Sequence, residues 1–450
     1  MKLRAFLPEW HAPSVTNTVL ITLGALMLGL SIIAIREPTH YVMSFNSVLL
    51  VQSILYLLAC WMILVGKAGK STLVLVIFFA IVFRMALVFT APRFSTDIYR
   101  YVWDGRVQGA GINPYRYVPA DRSLSGLRDA AIYPNINRRD YARTIYPPAA
   151  EGIFFAVTRV SESVTWMKAA ITGFEALTIW AIVMLLTQLG MPKERALLYA
   201  WHPLVIWEFS GEGHIDAAAI AFIALALWTR SRRFQALTGL ALGCATLVKF
   251  FPLILFPALY KRWGWKMPAA FVATIALGYL PYLSVGSRVL GFLPGYANEE
   301  GLVSGSRFFL LSLLHRLGYS MPANLFIAIS VVAMLAIGVW SLWKDERDSL
   351  SYARRCLLIA SVFTALLTPH YVWYFAWLVP FLCFVPSIPV LVLTLTCSFL
   401  FGALNGSWFG TPDEMFRINL FVYVPAALLA MADVLRQGFG NYKTHRVKAS

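Results

Sequence analysis

Charge is scarce along this 450-residue chain. Only 13% of its residues are Asp, Glu, Lys or Arg, against roughly 25% in an ordinary soluble domain. That deficit excludes a soluble globular protein. Cysteine is scarce too. All five, Cys60, Cys244, Cys356, Cys383 and Cys397, fall inside apolar runs. They read as packing residues, with neither a disulfide framework nor a metal-ligand spacing. No P-loop or dinucleotide fingerprint occurs, so nothing marks a nucleotide substrate. No internal repeat or low-complexity segment is visible, and a single domain over 1–450 is the simplest reading.

What the chain has in abundance is apolar length. Hydrophobic residues make up 59% of it, and many runs approach the roughly 20 residues that cross a hydrocarbon core as a helix. Backbone groups in lipid must be satisfied internally, by helices or closed barrels. Continuous runs argue for helices, since barrel strands alternate. The expectation is an all-α polytopic membrane protein of about 13–14 transmembrane helices. Spans are expected near 18–35, 45–65, 72–91, 165–189, 196–210, 214–229, 267–285, 322–343, 353–369, 372–385, 387–402 and 416–435. The first lacks a small-residue cleavage site and is expected to be retained. The run 235–260 is too short for two spans and is expected to be a hairpin carrying Lys249 at its tip.

The net charge is +16, yet its distribution argues against nucleic acid. The cations cluster between spans, at Lys67/Lys70, Lys193/Arg195, Arg230/Arg232/Arg233, Lys261/Arg262/Lys266 and Lys344/Arg347/Arg354/Arg355. With both termini in the cytoplasm, every cluster falls on the cytoplasmic side, the positive-inside pattern. Segments 92–150, 286–321 and 403–415 are then external loops of a bacterial cytoplasmic-membrane protein, and 151–164 an interfacial helix.

The first external loop carries the chemistry. Its nine cations are all arginine, whose planar fork binds carboxylates and phosphates in bidentate fashion. It also holds Asp97, Asp104, Asp121, Asp129 and Asp140, so pairing within the loop is the competing reading. Asp97 is its first carboxylate, just past a span. Tyr and Trp here serve either an interfacial belt or stacking on sugar rings.

Three runs carry a resemblance: Asp97-Ile98-Tyr99-Arg100-Tyr101-Val102-Trp103-Asp104-Gly105-Arg106, Gly111-Ile112-Asn113-Pro114-Tyr115 and Ile145-Tyr146-Pro147-Pro148. Together they resemble the first external loop of bacterial polyprenyl-phosphate-dependent mannosyltransferases of the GT-C class, mycobacterial α-mannosyltransferases among them. Gly213-His214-Ile215-Asp216-Ala217, Leu247-Val248-Lys249-Phe250-Phe251-Pro252 and Thr368-Pro369-His370-Tyr371-Val372-Trp373-Tyr374 are similar to later segments of those enzymes. The resemblance covers about 70–385. It implies a GT-C-like bundle, a polyprenyl-phosphate-linked sugar donor, a glycan or glycolipid acceptor, and Asp97 as catalytic base. It also implies a substrate site including Arg100, Asp104, Arg106, Asn113 and Tyr115. Many such enzymes carry an acidic pair where this chain has Thr96-Asp97, which weakens the case for a divalent metal; no cofactor is expected.

Other residues have two readings each. Glu212, His214 and Asp216 converge on a substrate, or form a helix cap with surface polar residues. Lys249 compensates a donor phosphate, since an embedded cation is costly, or snorkels to the interface. Arg307 clamps a phosphate or is solvated. His370 donates to a phosphate oxygen or shapes its turn. Arg84 and Glu175 are expected to pair inside the bundle. The leading function is a glycosyltransferase working on the outer face without a nucleotide. The alternative is a polytopic lipid or solute transporter or flippase, which typically shows repeats and midplane charges on broken helices.

Overall fold

A computed structural model of the chain describes residues 13–36, 42–66, 69–405 and 411–449. Lys67 and positions 406–410 of the expected 403–415 loop lie outside the described residues. Among the described residues every regular element is helical, and the chain is an all-α polytopic membrane protein. Among the described residues seven helices are long and apolar enough to cross a membrane: Pro13–Arg36, Phe45–Val65, Ser71–Val88, Val164–Gln188, Lys266–Glu299, Ala323–Trp343 and Pro412–Arg436. The other expected spans are occupied by shorter pieces, among them Asp216–Ser231, Gln235–Val248, Ser351–Leu367, Val372–Leu382 and Ile388–Phe401.

Proline and glycine explain much of the fragmentation. The run expected as one span over 196–210 is a short helix Leu197–Ala200, an interruption at His202-Pro203, one turn Pro203–Val205 and a wide turn Ile206–Gly211. Proline breaks the helical ladder there. Wide, π-type turns of this kind recur at functional sites. Irregular backbone at membrane depth is tolerated only where protein covers it, and residues 196–221 are buried throughout. The segment expected as an external loop over 286–321 takes the end of the helical run Lys266–Glu299, past a kink at Gly286, and the helix Phe309–Arg316 just after Arg307.

We name the first six helices α1 (Pro13–Arg36), α2 (Val42–Val65), α3 (Lys70–Val88), α4 (Asp97–Gly109), α5 (Pro148–Thr158) and α6 (Val164–Gln188). Helices α3 and α6 and the broken segment are joined in the core by the expected pair. Arg84 Nη2 lies 2.7 Å from Glu175 Oε1, Arg84 Nη1 donates to the Ala200 carbonyl at 2.8 Å, and the Ser210 hydroxyl donates to Glu175 Oε2 at 2.7 Å. The order of the elements follows local signals. Helix α6 begins at Ser163, whose hydroxyl accepts the Trp166 N–H, an ordinary N-cap. Helix α5 begins at Pro147-Pro148, whose fixed φ suits a first helical turn.

Helices α4 and α5 pack face to face within the long loop region. Tyr101 stacks on Phe154 with ring centroids 4.5 Å apart and planes 7° from parallel. A Cβ on Gly105 would lie 2.4 Å from the Phe154 carbonyl oxygen, so only glycine permits this approach. The pair packs against α6. The Gln235–Val248 helix packs on Lys266–Tyr279 and on Asp216–Ser231. It ends at Lys249, which leaves helical geometry at φ −146°, ψ 141°, and short turns over Phe251–Leu259 follow. This is the expected hairpin, and its tip meets the α4 end of the bundle.

Candidate active site at the loop end of the bundle

A small cavity of about 40 Å³ lies where the long loop, the hairpin tip and the 368–374 turn meet. Asp97, Arg100, Tyr146, Lys249, Tyr371 and Tyr374 are among its walls. The structure therefore brings together residues from three sequence segments more than a hundred positions apart. Helix α4 starts at Asp97, which is half-buried. A carboxylate suits the first turn, where unpaired N–H groups carry partial positive charge. Asn137 Nδ2 donates to Asp97 Oδ1 at 2.6 Å, and among the described residues no hydrogen bond reaches the other oxygen. Asn137 carries no motif signal, and sequence reasoning missed it.

Lys249 projects its ammonium between two aromatic rings, 5.6 Å from the Tyr146 centroid and 5.1 Å from that of Tyr374. Its partner is Asp216 Oδ2 at 3.2 Å. Asp216 is 1% exposed, and neither of its oxygens accepts a directed hydrogen bond. The lysine is thus held by charge and ring faces, with donor capacity left over. Snorkelling does not describe it, because the side chain is 13% exposed and turned toward the cavity.

The Glu212–Asp216 turn differs from the surface-cap alternative. Its three ionisable residues are buried, not surface polar groups, and each has its own partner. Glu212 accepts three successive backbone N–H groups, from Arg93, Phe94 and Ser95 at 2.9–3.0 Å. His214 Nδ1 lies 2.8 Å from Glu208 Oε2, and its ring stacks on Trp373 with centroids 4.0 Å apart. Asp216 faces Lys249.

The remaining candidates divide between the cavity and its supports. Arg100 reaches the cavity wall while its Nε donates to both Asp104 oxygens at 2.8 and 2.9 Å. Asp104 is 2% exposed and packs near Glu151, which accepts the Thr144 hydroxyl at 2.6 Å. Burial pushes both carboxyls upward, and for Glu151 the Asp104 charge adds to the effect. Arg106 points elsewhere, pairing with Asp129 and Glu162 at 2.7 Å each. Partial burial raises the Asp129 carboxyl, but Arg106 and the N–H groups of Ile132 and Tyr133 outweigh it and hold it at about 2. Asn113 ties the loop to the Tyr282 carbonyl and the Ser284 hydroxyl at 3.0 Å each. Tyr115 is buried and donates to the Tyr146 carbonyl at 2.6 Å. Asn113 and Tyr115 lie outside the cavity lining.

Arg307 is buried against Glu300 and donates to the Leu367 carbonyl at 3.0 Å, so it is not a solvated surface residue. His370 sits beside this pair, its Nδ1 3.9 Å from Glu300 Oε2. Burial, then the Arg307 charge, hold the imidazole down at about 3, so it is neutral at physiological pH. Neither residue lines the cavity. Their shared neighbour Glu300 donates its N–H to the carbonyl of Tyr296, a lining residue whose hydroxyl is 3.2 Å from that of Tyr374. Among the described residues no three His, Cys, Asp or Glu side chains group as a metal site.

Comparison with known proteins follows the same elements. A family model described as "Alpha-(1->6)-mannopyranosyltransferase, N-terminal domain" matches residues 14–264. That stretch contains α1 through α6, Asp97, the Glu212–Asp216 turn and Lys249. Alpha-(1->6)-mannopyranosyltransferase A of Mycobacterium tuberculosis is 20% identical over 365 residues, covering 74% of this chain and 70% of the relative. No solved structure matches.

Proposed function

The chain belongs to the α-(1→6)-mannopyranosyltransferase family and is a membrane glycosyltransferase; we propose that it transfers mannose from a polyprenyl-phosphate donor to an acceptor hydroxyl of a glycan or glycolipid, at the outer face of a bacterial cytoplasmic membrane. The observation that carries this reading is the presence of a half-buried carboxylate and a half-buried ammonium in one aromatic-walled cavity. Asp97 and Lys249 both line it.

The chemistry follows from charge. The acceptor oxygen attacks the anomeric carbon from the face opposite the donor phosphate. A bond from carbon to the acceptor oxygen forms as the bond to the phosphate oxygen breaks. The acceptor proton passes to Asp97, and the electron pair leaves on the polyprenyl phosphate. Such a displacement inverts the anomeric centre, so an α product requires a β-linked donor. General-base assistance is worth about 10²–10⁴ in rate. A cation aimed at charge that develops on the leaving group stabilises the transition state in a water-poor site, the role given to Lys249. Tyr146, Tyr371 and Tyr374 offer flat faces to the C–H bonds of a sugar ring. Arg307 and His370, a layer behind, support the wall on the phosphate side.

No nucleotide and no metal enter this scheme. A transporter is the weaker reading, because the polar side chains gather around the cavity at one end of the bundle and no internal repeat is visible. The test is direct. Purified protein is given polyprenyl-phosphate mannose and a mannoside acceptor, and glycan product and free polyprenyl phosphate are measured together. Equimolar release of both supports transfer. Absence of both, with a folded protein that binds the donor, contradicts it.

A further inference from the structure

The segment that delivers Asp97 is held from two sides by buried ions of opposite sign. From one side, Lys168 of α6 enters with its side chain fully buried. Its ammonium donates to the Leu87 carbonyl at 2.8 Å and the Thr90 carbonyl at 2.6 Å. Both carbonyls lie at the end of α3, where a cation is favoured by the helix dipole, and that of Leu87 also accepts the Thr90 N–H and hydroxyl. From the other side, Glu212 accepts the N–H groups of Arg93, Phe94 and Ser95. Successive N–H groups form a concave anion site, and this one is filled by a side chain of the protein itself. Two residues later the chain reaches Asp97.

The turn that supplies Glu212 also touches α4 directly. Gly213 has φ +82°, and a Cβ there would lie 2.4 Å from Ile98 Cδ1 and 3.1 Å from Lys168 Cγ. So Gly213, Ile98 and Lys168 close on one another only because position 213 has no side chain. The neighbouring Asp216 pairs with Lys249, and His214 stacks on the cavity wall at Trp373. One buried turn therefore contacts two lining residues, Lys249 and Trp373, and the helix that begins at Asp97.

We propose that Glu212, seconded by Lys168, is a positioning residue whose function is to fix Asp97 in the cavity. This rests on the reading of Asp97 as the base. A buried carboxylate that only stabilised the fold would be equally served by any partner. Here it spends its hydrogen bonds on the three residues before Thr96, leaving that short connection little freedom. Misplacing a reacting group by about 1 Å costs roughly 10²-fold in rate. Glu212 touches no substrate, so donor binding through Lys249 is left in place.

The test is a double-variant cycle on the full-length protein, with turnover per folded enzyme, donor KM and thermal midpoint measured for each variant. Glu212→Gln keeps the length of the side chain and removes its charge. Turnover should fall roughly 10²-fold, with donor KM changed less than about 2-fold. In an Asp97→Asn background the same substitution should cost nothing further, because the base it positions is already gone. Glu212→Asp, which keeps the charge one methylene shorter, should lie between, and serves if Glu212→Gln folds poorly. Near-normal turnover of both Glu212 variants overturns the proposal. So does a loss that multiplies with that of Asp97→Asn, the behaviour expected of a residue that acts independently of the base. If Asp97→Asn itself turns over normally, the base assignment falls first, and the positioning role with it.

Discussion

Lys249 Nζ lies 3.2 Å from Asp216 Oδ2, inside a protein where both side chains are largely shielded from water. Each needs the other. Removing one member of a buried pair leaves an uncompensated charge, at a cost of about 3–5 kcal/mol. Lys249→Met alone should therefore lower stability as well as donor use, and the two effects would be confounded. Lys249→Met combined with Asp216→Asn removes both charges. We expect the double variant to regain most of the lost thermal stability while its donor KM stays raised. A lost charged hydrogen bond of about 1.5–3 kcal/mol corresponds to roughly 10- to 150-fold. Recovery of normal donor KM in the double variant would assign Lys249 to the fold instead of the phosphate.

Orientation is checked in intact cells with single cysteines, the five native ones being replaced. Ser123 is exposed on the long loop and Ser71 at the start of α3. An impermeant thiol reagent should modify Ser123→Cys and spare Ser71→Cys until the membrane is opened. The reverse pattern would place the cavity in the cytoplasm and remove the basis for an externally presented donor.

The Asp104–Glu151 cluster makes stability depend on pH. Both carboxyls have folded-state values raised by burial, so the folded protein holds protons that the unfolded chain releases. The stability they contribute is full below the ordinary carboxylate range and is lost as pH rises through the raised values. Glu151→Gln removes one titrating group and keeps an acceptor for the Thr144 hydroxyl. Its thermal midpoint should fall less than the wild type's between pH 5 and pH 8. An unchanged pH slope would show that the pair does not share its burden in this way.

The Arg84–Glu175 pair predicts a purely structural effect. Glu175→Ala strands the Arg84 guanidinium between α3 and α6 and should cost about 3–5 kcal/mol. Turnover and donor KM per folded enzyme should remain within about 2-fold. A selective loss of donor binding would connect this pair to the site.

Much of this was legible in the sequence because lipid restricts what a chain can do. Long apolar runs announced α1, α2, α3 and α6, and two embedded charges of opposite sign, Arg84 and Glu175, found each other. The hairpin tip at Lys249 followed from a run too short to cross twice. The broken segment over 197–215 was hidden, since its composition is as apolar as a continuous span and its breaks come from His202-Pro203 and tertiary packing. Glu212 was misjudged for a related reason. A carboxylate before a helix looks like a cap or a surface group, and its real partners lie 117–119 residues earlier. The loop arginines divided in a way that spacing does not encode: Arg100 reached the cavity, while Arg106 found Asp129 and Glu162.

The central claim is that Asp97 removes the acceptor proton, and the most direct measurement compares Asp97→Asn with Asp104→Asn for turnover and donor binding on the same preparations. Asp97→Asn keeps the shape of the side chain and its contact with Asn137, so donor binding should survive while turnover falls about 10²–10⁴-fold. Asp104→Asn loosens Arg100, and its turnover should fall far less. A variant Asp97→Asn that turns over near the normal rate would contradict the account, and it would do so most clearly if Asp104→Asn were the inactive one.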